Sequence, residues 1–166
     1  MIRLMRAGDL ETVARLESEL FTSASWSLAM LEQELNGPGR TYYVWVGALP
    51  HLPQNEAGIA ACDAVLGYAG LWCAGAGSDA EVMTIGVDKA AQHAGIGRAL
   101  MQALMDAARE QGARRMLLEV RVDNAPAKSL YHQLGFKPMG LRKHYYQPED
   151  VDAVTMSLNL EETEHE

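Results

Sequence analysis

The chain has 166 residues, of which 48% are hydrophobic, and a formal net charge of −8. This length fits one domain with a real hydrophobic core and leaves little room for a second. The acidic balance argues against non-specific binding to nucleic acid or to an anionic membrane, and it is compatible with a cationic substrate. We expect the domain to span residues 1–160, followed by a solvated acidic tail over residues 161–166.

The cysteines and the N-terminus bear on the compartment. Cys62 and Cys73 form no C-x-x-C pair and have no clustered histidines around them, so we expect no metal site. Two lone cysteines favour a reducing compartment. The N-terminal stretch has no apolar leader pattern, and no run approaches the length of a membrane span. These features predict a cytoplasmic protein.

The first part of the chain predicts two strands and two helices. Ile2 to Met5 is a short apolar stretch that predicts an edge strand. Asp9 is expected to cap a helix with apolar residues at helical spacing, and Ser27 to cap a second helix that stops at Asn36-Gly37-Pro38. Thr41 to Ala48 is rich in strand-forming residues.

The middle of the chain predicts a loop and two more strands. Residues 49–63 contain two prolines, a glycine and small residues, and they predict a long loop. Ala64 to Cys73 predicts the second strand of a hairpin. Glu81 to Val87 predicts a third strand, with its odd-numbered residues on one face.

The apolar period then lengthens from two residues to four. Gly95 to Gln111 therefore predicts an amphipathic helix. A strand over Arg115 to Val122 and a short helix from Pro126 follow. Phe136 to Leu141 and Val151 to Leu158 predict the last strands, joined by a polar, tyrosine-rich loop. The order β-α-α-β-β-β-α-β-α-β-β predicts an α/β domain with a mixed sheet.

The most informative segment runs from Gln92 to Arg98 and reads Q-H-A-G-I-G-R. Its glycines allow close backbone approach, so several N–H groups can point into one concavity at a helix N-terminus, where the helix dipole favours an anion. This predicts a pyrophosphate cradle. A P-loop would need Gly-Lys-Ser/Thr at the end of the turn, and a dinucleotide fingerprint would need a third glycine near Leu100.

The pattern Q-x-x-G-x-G between a strand and a helix resembles the acetyl-CoA motif of the GNAT N-acetyltransferases. A second segment is similar to the other signature of that family: Asn124-x-x-Ala127-x-x-Leu130-Tyr131-x-x-Leu134-Gly135-Phe136. The two motifs stand in the right order and spacing. The resemblance implies the GNAT fold, a mixed, mostly antiparallel central sheet flanked by helices, and acetyl-CoA as cofactor.

Within that family, three segments resemble the RimI group of ribosomal-protein-alanine N-acetyltransferases. They are Leu118-Glu119-Val120-Arg121, Arg142-x-x-Tyr145-Tyr146 and Leu16-Glu17…Phe21…Trp26-Ser27. That group usually has Pro-Trp where this chain has Ser25-Trp26. The resemblance implies that the acceptor is the N-terminal alanine of a basic ribosomal protein. Two alternatives stay open: acetylation of a small amine or a protein lysine, and a non-catalytic acyl-CoA-binding regulatory domain.

The resemblance also implies the cofactor-binding residues. The strand should present its backbone to the pantetheine arm as it would to a neighbouring strand. Asn124 is either a contact to the arm or a helix cap, Arg98 either a phosphate ligand or a solvated charge, and Gln92 either a loop closure or a cofactor contact. The backbone contacts implied are Ile85, Gly86, Val87, Gly95, Ile96, Gly97, Arg98 and Ala99.

Acetyl transfer to an amine needs a neutral amine, a stabilised oxyanion and a protonated leaving thiolate. Tyr131 is the candidate general acid, and simple packing is its alternative. Glu119 interrupts an apolar strand and is the first candidate base, with an ion pair to Arg121 as its alternative. Glu81, on the strand before the cradle, is the rival base, and its alternative is a surface carboxylate.

Three aromatic residues are candidates for the acceptor pocket. Tyr145 and Tyr146 lie in the predicted loop before the last strand, where members of the family shape that pocket. Trp26 opens the second predicted helix, on the side where the same pocket is expected. The alternative for each of the three is a place in the hydrophobic core.

Overall fold

The structure is a computed structural model that describes residues 1–21, 24–48 and 64–161. The predicted loop at 49–63, with Cys62, and most of the acidic tail lie outside the described residues. The helices and strands of the described ranges follow in chain order: β1 Ile2–Leu4, α1 Leu10–Phe21, α2 Leu28–Asn36, β2 Arg40–Gly47, β3 Ala64–Cys73, β4 Asp79–Val87, α3 Ile96–Glu110, β5 Arg115–Arg121, α4 Ala125–Gln133, β6 Lys137–Tyr146 and β7 Val151–Asn159. This order confirms the predicted one.

The strands form a single sheet in the order β1-β2-β3-β4-β5-β7-β6. Neighbouring strands are antiparallel except for β4 and β5, which are parallel. The prediction of a mixed, mostly antiparallel central sheet flanked by helices is confirmed. β1 lies at one edge of the sheet, as its short apolar stretch predicted.

Two hydrophobic clusters pack against the sheet. One lies under α3 and α4, where Leu100 and Leu104 of α3 are fully buried. The other lies under α1 and α2 and is built around Val13, Leu16 and Leu31. The four-residue period of α3 explains this placement, because it puts Ile96, Leu100, Leu104 and Ala108 on the face toward the sheet. Full burial of one such side chain contributes about 1.5–3 kcal/mol.

A β-bulge interrupts the alternation of β4. Gly70 of β3 pairs with Thr84, but the next residue, Leu71, pairs with Val82, so Met83 is the extra residue. Met83 packs with the cluster under α1 and α2, whereas the odd-numbered residues after it pack with the cluster under α3 and α4. The prediction that the odd-numbered residues of this strand share one face is therefore wrong, because the bulge reverses the alternation.

β4 and β5 separate part-way along their length. They pair only where Asp79–Glu81 lies opposite Arg115–Leu117. Beyond that point β4 continues to pair with β3 as far as Val87, and β5 continues to pair with β7 as far as Arg121. The two inner edges of the split consequently carry backbone groups that have no partner on the opposite strand.

Of the two predicted helix caps, Ser27 and Asp9, the structure confirms only Ser27. Ser27 caps α2 as predicted, accepting the N–H of Met30 at 3.3 Å. Asp9 does not cap α1: its carboxylate accepts the backbone N–H of Arg6 at 2.8 Å and a guanidinium N–H of Arg3 at 2.7 Å. It thereby closes the 3₁₀ turn at residues 7–9 that precedes the helix.

β6 is longer than the sequence predicted. It runs to Tyr146, so that Tyr145 and Tyr146 lie at the end of a strand and the prediction that they lie in a loop is wrong. β6 lies at the edge of the sheet opposite β1, and most of its side chains are exposed on both faces. An exposed edge strand of this kind lacks the alternation of buried and exposed residues that marks a half-buried strand.

Candidate active site

Two cavities open where β4 and β5 separate. The larger, of about 860 Å³, extends along β4 to the N-terminus of α3 and to α4, and is called here the α3 cleft. The smaller, of about 680 Å³, lies beside the β6–β7 hairpin and is called here the hairpin cavity. The cavities adjoin each other, and they share several lining residues: Ala24, Trp26, Val82, Met83, Leu118, Glu119 and Tyr146.

The N-terminus of α3 forms one end of the α3 cleft. Gly95 caps the helix with a left-handed φ of 82°, and His93 before it has a φ of 65°. The first N–H groups of any helix lack an intrahelical partner, so those of Ile96 and Gly97 are available to an anion. The backbone N–H of Ala99, which was also predicted to contact the cofactor, already has a partner. It closes the first helical turn by donating to the Gly95 carbonyl at 3.0 Å.

The glycine at position 97 keeps the wall of the α3 cleft open. A Cβ atom there would lie 3.6 Å from a methyl group of Leu130 on α4 and 3.8 Å from a methyl group of Val87 on β4. These are ordinary contacts, so a methyl group fits, but any longer side chain would have to enter the space between α3, α4 and β4. The free N–H groups at the start of α3 suit an anionic group such as a pyrophosphate.

Ile85, Gly86 and Val87, which were predicted to bind the cofactor, lie on the strand side of the α3 cleft. One edge of this segment pairs with β3, and the other faces the split from β5. Gly86 is needed for packing, because a Cβ atom there would lie 2.4 Å from the hydroxyl oxygen of Tyr68. An extended ligand arm can therefore meet unpartnered backbone groups along this edge.

Three polar side chains predicted to bind the cofactor line the α3 cleft and also have partners within the protein. The Gln92 side chain donates to the Val87 carbonyl at 3.1 Å and so closes the turn. Arg98 donates to the side chain of Gln133 on α4. Asn124 caps α4 by accepting a backbone N–H at 3.2 Å. Asn124 therefore caps α4 and also lies in the cleft, where it could contact the cofactor arm.

Tyr131 lies in the wall of the α3 cleft, with only 7% of the residue exposed. Its ring packs edge-on against Phe136, with the ring centres 6.0 Å apart. Within the described residues the hydroxyl group has no hydrogen-bond partner. Burial, with a smaller contribution from Tyr146, raises the pKa of Tyr131 to about 12. The phenol is therefore protonated at neutral pH and can donate a proton into the cleft.

Glu119 lies on β5 where the two cavities join, and its side chain is 23% exposed. Its carboxylate lies 3.0 Å from the Nε atom of Arg142 on β6. A hydrogen bond to the same carboxylate raises the pKa of Tyr145 to about 12. The alternative of an ion pair between Glu119 and Arg121 is wrong, because Arg121 pairs with Asp123 at 3.0 Å.

The other predicted residues surround the hairpin cavity. Glu81 lines this cavity but not the α3 cleft, its side chain is exposed, and it forms no ion pair with any described residue. Trp26, Tyr145 and Tyr146 line the same cavity, and the two tyrosine rings stand edge-on with centres 5.0 Å apart. The structure thus brings both candidate bases and all three candidate pocket residues to one cavity.

Arg142 and Glu17 are charged residues of the site that were given no role from the sequence. Arg142 had no signal that pointed to Glu119, because the pairing depends on the strand order. Glu17 is a carboxylate residue with 1% exposure in the wall of the α3 cleft. A signal for it existed, since Glu17 interrupts the apolar face of α1 four residues after Val13 and next to Leu16.

Residues 1–21, 24–48 and 64–161 also bear on the possibility of a metal centre or a membrane span. In these ranges no three side chains of His, Cys, Asp or Glu come together as potential metal ligands. None of the helices in the described part of the chain combines the length and the apolar character needed to cross a bilayer.

The sequence of this chain is similar to those of known proteins. The sequence model of the acetyltransferase (GNAT) family matches residues 11–136. The N-alpha-acetyltransferase RimI of Mycobacterium tuberculosis is 38% identical, in an alignment that covers 93% of this chain and 89% of the relative.

Two solved structures resemble the fold over nearly its whole length. The ribosomal-protein-S18-alanine N-acetyltransferase from Escherichia coli superposes with a TM-score of 0.76 at 26% identity, covering 98% of this chain and 95% of the other. The protein yncA from Salmonella typhimurium, solved with its cofactor acetyl-CoA, superposes with a TM-score of 0.70 at 25% identity, covering 100% of this chain and 96% of the other.

Proposed function

The chain belongs to the acetyltransferase (GNAT) family, and on that basis we propose that it acetylates the α-amino group of a protein N-terminus, with the N-terminal alanine of a ribosomal protein as acceptor. It is an N-acetyltransferase whose acetyl donor is acetyl-CoA. The observation that carries the proposal is the junction of the α3 cleft and the hairpin cavity at Glu119. A donor in one cavity and an amine in the other would be brought together at that junction.

The α3 cleft would hold the donor. The free N–H groups at the start of α3 would bind the pyrophosphate, and the open edge of Ile85–Val87 would bind the extended arm. When bound, acetyl-CoA supplies an acetyl group activated as a thioester. Tyr131 holds a proton at its hydroxyl oxygen for the departing sulfur, because its pKa of about 12 keeps the phenol neutral.

The hairpin cavity would hold the acceptor. Its two carboxylates, Glu81 and Glu119, favour a cationic amine over an anionic group. An α-amino group has a pKa of about 7.7–8.0, against about 10.4 for lysine, so a sizeable fraction is already neutral near pH 7. A carboxylate such as Glu119 is then a sufficient base, and it takes the proton at one of its oxygens.

The ribosomal acceptor is supported by the similarity to the Escherichia coli enzyme, which is named for the alanine of ribosomal protein S18. The net charge of −8 also favours a basic partner. Trp26, Tyr145 and Tyr146 would then contact the first residues of the peptide, since they form the aromatic wall of the hairpin cavity. A ribosomal acceptor would place the reaction in the cytoplasm.

The test is a comparison of three acceptors by release of the CoA thiol. The first is a basic peptide with a free N-terminal alanine, the second the same peptide N-blocked with an internal lysine, and the third spermidine. We expect the free alanine peptide to have the highest kcat/KM. A higher kcat/KM for the lysine peptide or for spermidine would show that the acceptor is not an N-terminal alanine, while the membership in the GNAT family would stand. Acetyl-CoA binding without turnover of any amine would favour a regulatory domain.

A further inference from the structure

Glu17 on α1 carries a buried carboxyl group. The residue is 1% exposed and, within the described residues, it forms no ion pair. Its neighbours on α1, Val13 and Leu16, belong to the hydrophobic cluster under α1 and α2. Burying a carboxyl group without a cation opposes folding unless hydrogen bonds compensate it, so an apolar residue would suit the core better.

The two oxygens of this carboxyl group bind two different parts of the fold. Oε2 accepts the backbone N–H of Trp26 at 3.1 Å, in the connection that leads into α2. Oε1 accepts the hydroxyl group of Thr84 on β4. The Tyr68 hydroxyl lies beside the same carboxyl group, and burial followed by the charge of Glu17 raises the pKa of Tyr68.

The two partners border opposite sides of the cavity junction. Trp26 lines both the hairpin cavity and the α3 cleft. Thr84 comes directly after the bulge at Met83 and directly before the strand segment Ile85–Val87. A single side chain on α1 therefore connects the wall on the acceptor side to the strand on the donor side.

We propose that Glu17 is a positioning residue for acetyl transfer: it fixes Trp26 relative to β4 and thereby sets the position of the acceptor at the junction. This inference rests on the proposed function of the hairpin cavity as the acceptor site. Glu17 touches neither reactant in the proposed mechanism, so it acts only through Trp26 and Thr84. Its loss should change acceptor use more than donor binding, because β3 still holds the donor strand.

The test compares Glu17→Leu, Glu17→Gln and Thr84→Val with a matched control. Glutamine can accept the Trp26 N–H with its oxygen and donate to the Thr84 oxygen with its amide, so it should restore both links. We expect Glu17→Leu to lower kcat/KM for the peptide at least tenfold, mainly through KM, with the Kd of acetyl-CoA within threefold of wild type. Glu17→Gln should stay within threefold. The control is Glu19→Leu on the exposed face of α1, which should change neither quantity.

A second measurement separates this proposal from the function on which it rests. Amide hydrogen exchange at Trp26, followed by NMR, should lose its protection in Glu17→Leu and keep it in Glu17→Gln. Should the wild-type chain acetylate no peptide, the proposed function fails, and retained protection in Glu17→Leu would still overturn the present proposal. Peptide kcat/KM within twofold of wild type in Glu17→Leu, or equal losses in peptide use and acetyl-CoA affinity, would also overturn it.

Thr84→Val provides the outcome if Glu17→Leu does not fold. Valine has nearly the shape of threonine and removes only the hydroxyl donor, so the strand should persist. We expect a loss of peptide kcat/KM of at least threefold, again through KM, and rescue by Thr84→Ser. An unchanged KM in a folded Thr84→Val variant overturns the link between β4 and the acceptor side.

Discussion

Glu119 and Arg142 form an ion pair across the intervening strand β7, with the carboxylate oxygen Oε1 3.0 Å from Nε. The pair lies in the wall of the hairpin cavity, and the Arg142 guanidinium also stacks over the ring of Tyr145 at 5.5 Å. A cationic acceptor entering this cavity therefore meets a carboxylate that already has a cationic partner. The amine must compete with Arg142 for Glu119.

The two candidate bases can be separated by a matched pair of substitutions. Glu119→Gln should lower kcat about 10²–10⁴-fold, the range for loss of a general base. Glu81→Gln, in the same cavity but away from the α3 cleft, should change kcat less than about threefold. Both are measured with the alanine peptide at saturating acetyl-CoA. The reverse order of the two effects would make Glu81 the base.

Removal of the competing cation should improve binding of the acceptor. Arg142→Gln deletes one positive charge from the cavity, and a charge pair about 7 Å apart at the surface is worth roughly 1 kcal/mol or less. We therefore expect the peptide KM to fall roughly two- to fivefold. The control is Arg115→Gln, which breaks an ion pair to Asp79 outside both cavities and should leave KM unchanged. A higher KM in Arg142→Gln would instead mean that Arg142 helps to bind the peptide.

Local patterns in the sequence predicted the elements best where burial is one-sided. The bounds of β3 agree with the predicted Ala64 to Cys73, and the four-residue apolar period located α3. The turn before α3 was predictable for a related reason. A left-handed φ such as that of Gly95 favours glycine, so the turn can be recognised from the sequence. These features depend on residues close together in the chain.

Features that depend on distant neighbours were not predictable in the same way. The pairing of Glu119 with Arg142 requires β7 to insert between β5 and β6, and no local pattern encodes that order. The bulge at Met83 depends on the register with β3. Glu17 was visible only as a polar residue on an apolar helix face, and its partners Trp26 and Thr84 come from elements that the sequence does not connect.

The cradle at the start of α3 can be tested through acetyl-CoA affinity alone. Gly97→Glu should abolish binding, because a carboxylate would occupy the gap between Val87 and Leu130 and repel the pyrophosphate. Gly97→Ala should fold normally, since its methyl group makes only ordinary contacts. Calorimetry with acetyl-CoA gives the Kd. The control is Gly140→Glu on β6, where nothing lies within 4 Å of an added Cβ, and unchanged affinity in a folded Gly97→Glu variant would remove the cradle from the site.

Asp9 should make the stability of the fold depend on acidity. The hydrogen bond from Arg3 lowers the pKa of Asp9 in the folded state below its ordinary value. A lowered folded pKa stabilises the fold above the unfolded pKa, near 4, and this contribution is lost as pH falls through the folded value. We expect Asp9→Asn to lower the free energy of unfolding by about 1 kcal/mol at pH 7, since Arg3 is partly exposed to solvent.

Urea unfolding of wild type and Asp9→Asn at pH 7 and pH 2.5 measures this difference. The gap between the two proteins should shrink at the lower pH. Asp106→Asn is the control, because its ion pair with Arg109 is exposed and should contribute less than about 0.5 kcal/mol. A gap that is the same at both pH values would mean that the charge of Asp9 does not contribute.

Tyr131→Phe tests the general acid while keeping the ring. The edge-on contact with Phe136 survives, and within the described residues no hydrogen bond of the hydroxyl group is lost, so the melting temperature should change little. If the hydroxyl group donates the proton to the leaving thiolate, kcat should fall about 10²–10⁴-fold with the Kd of acetyl-CoA unchanged. Tyr43→Phe, in neither cavity, is the control. A loss smaller than about threefold would return Tyr131 to a packing role.

The pH dependence of the same variant gives a sharper test. Burial raises the pKa of Tyr131 to about 12, so the phenol keeps its proton in the folded enzyme well beyond the pH at which an unfolded tyrosine ionises. The ratio of wild-type to Tyr131→Phe turnover should therefore stay constant from about pH 6.5 to pH 10, while both rates rise as the α-amine of the peptide loses its proton near pH 8. A ratio that falls toward one above pH 9 would mean that the phenol ionises early. The buried environment of Tyr131 would then not be what holds its proton in place for the reaction.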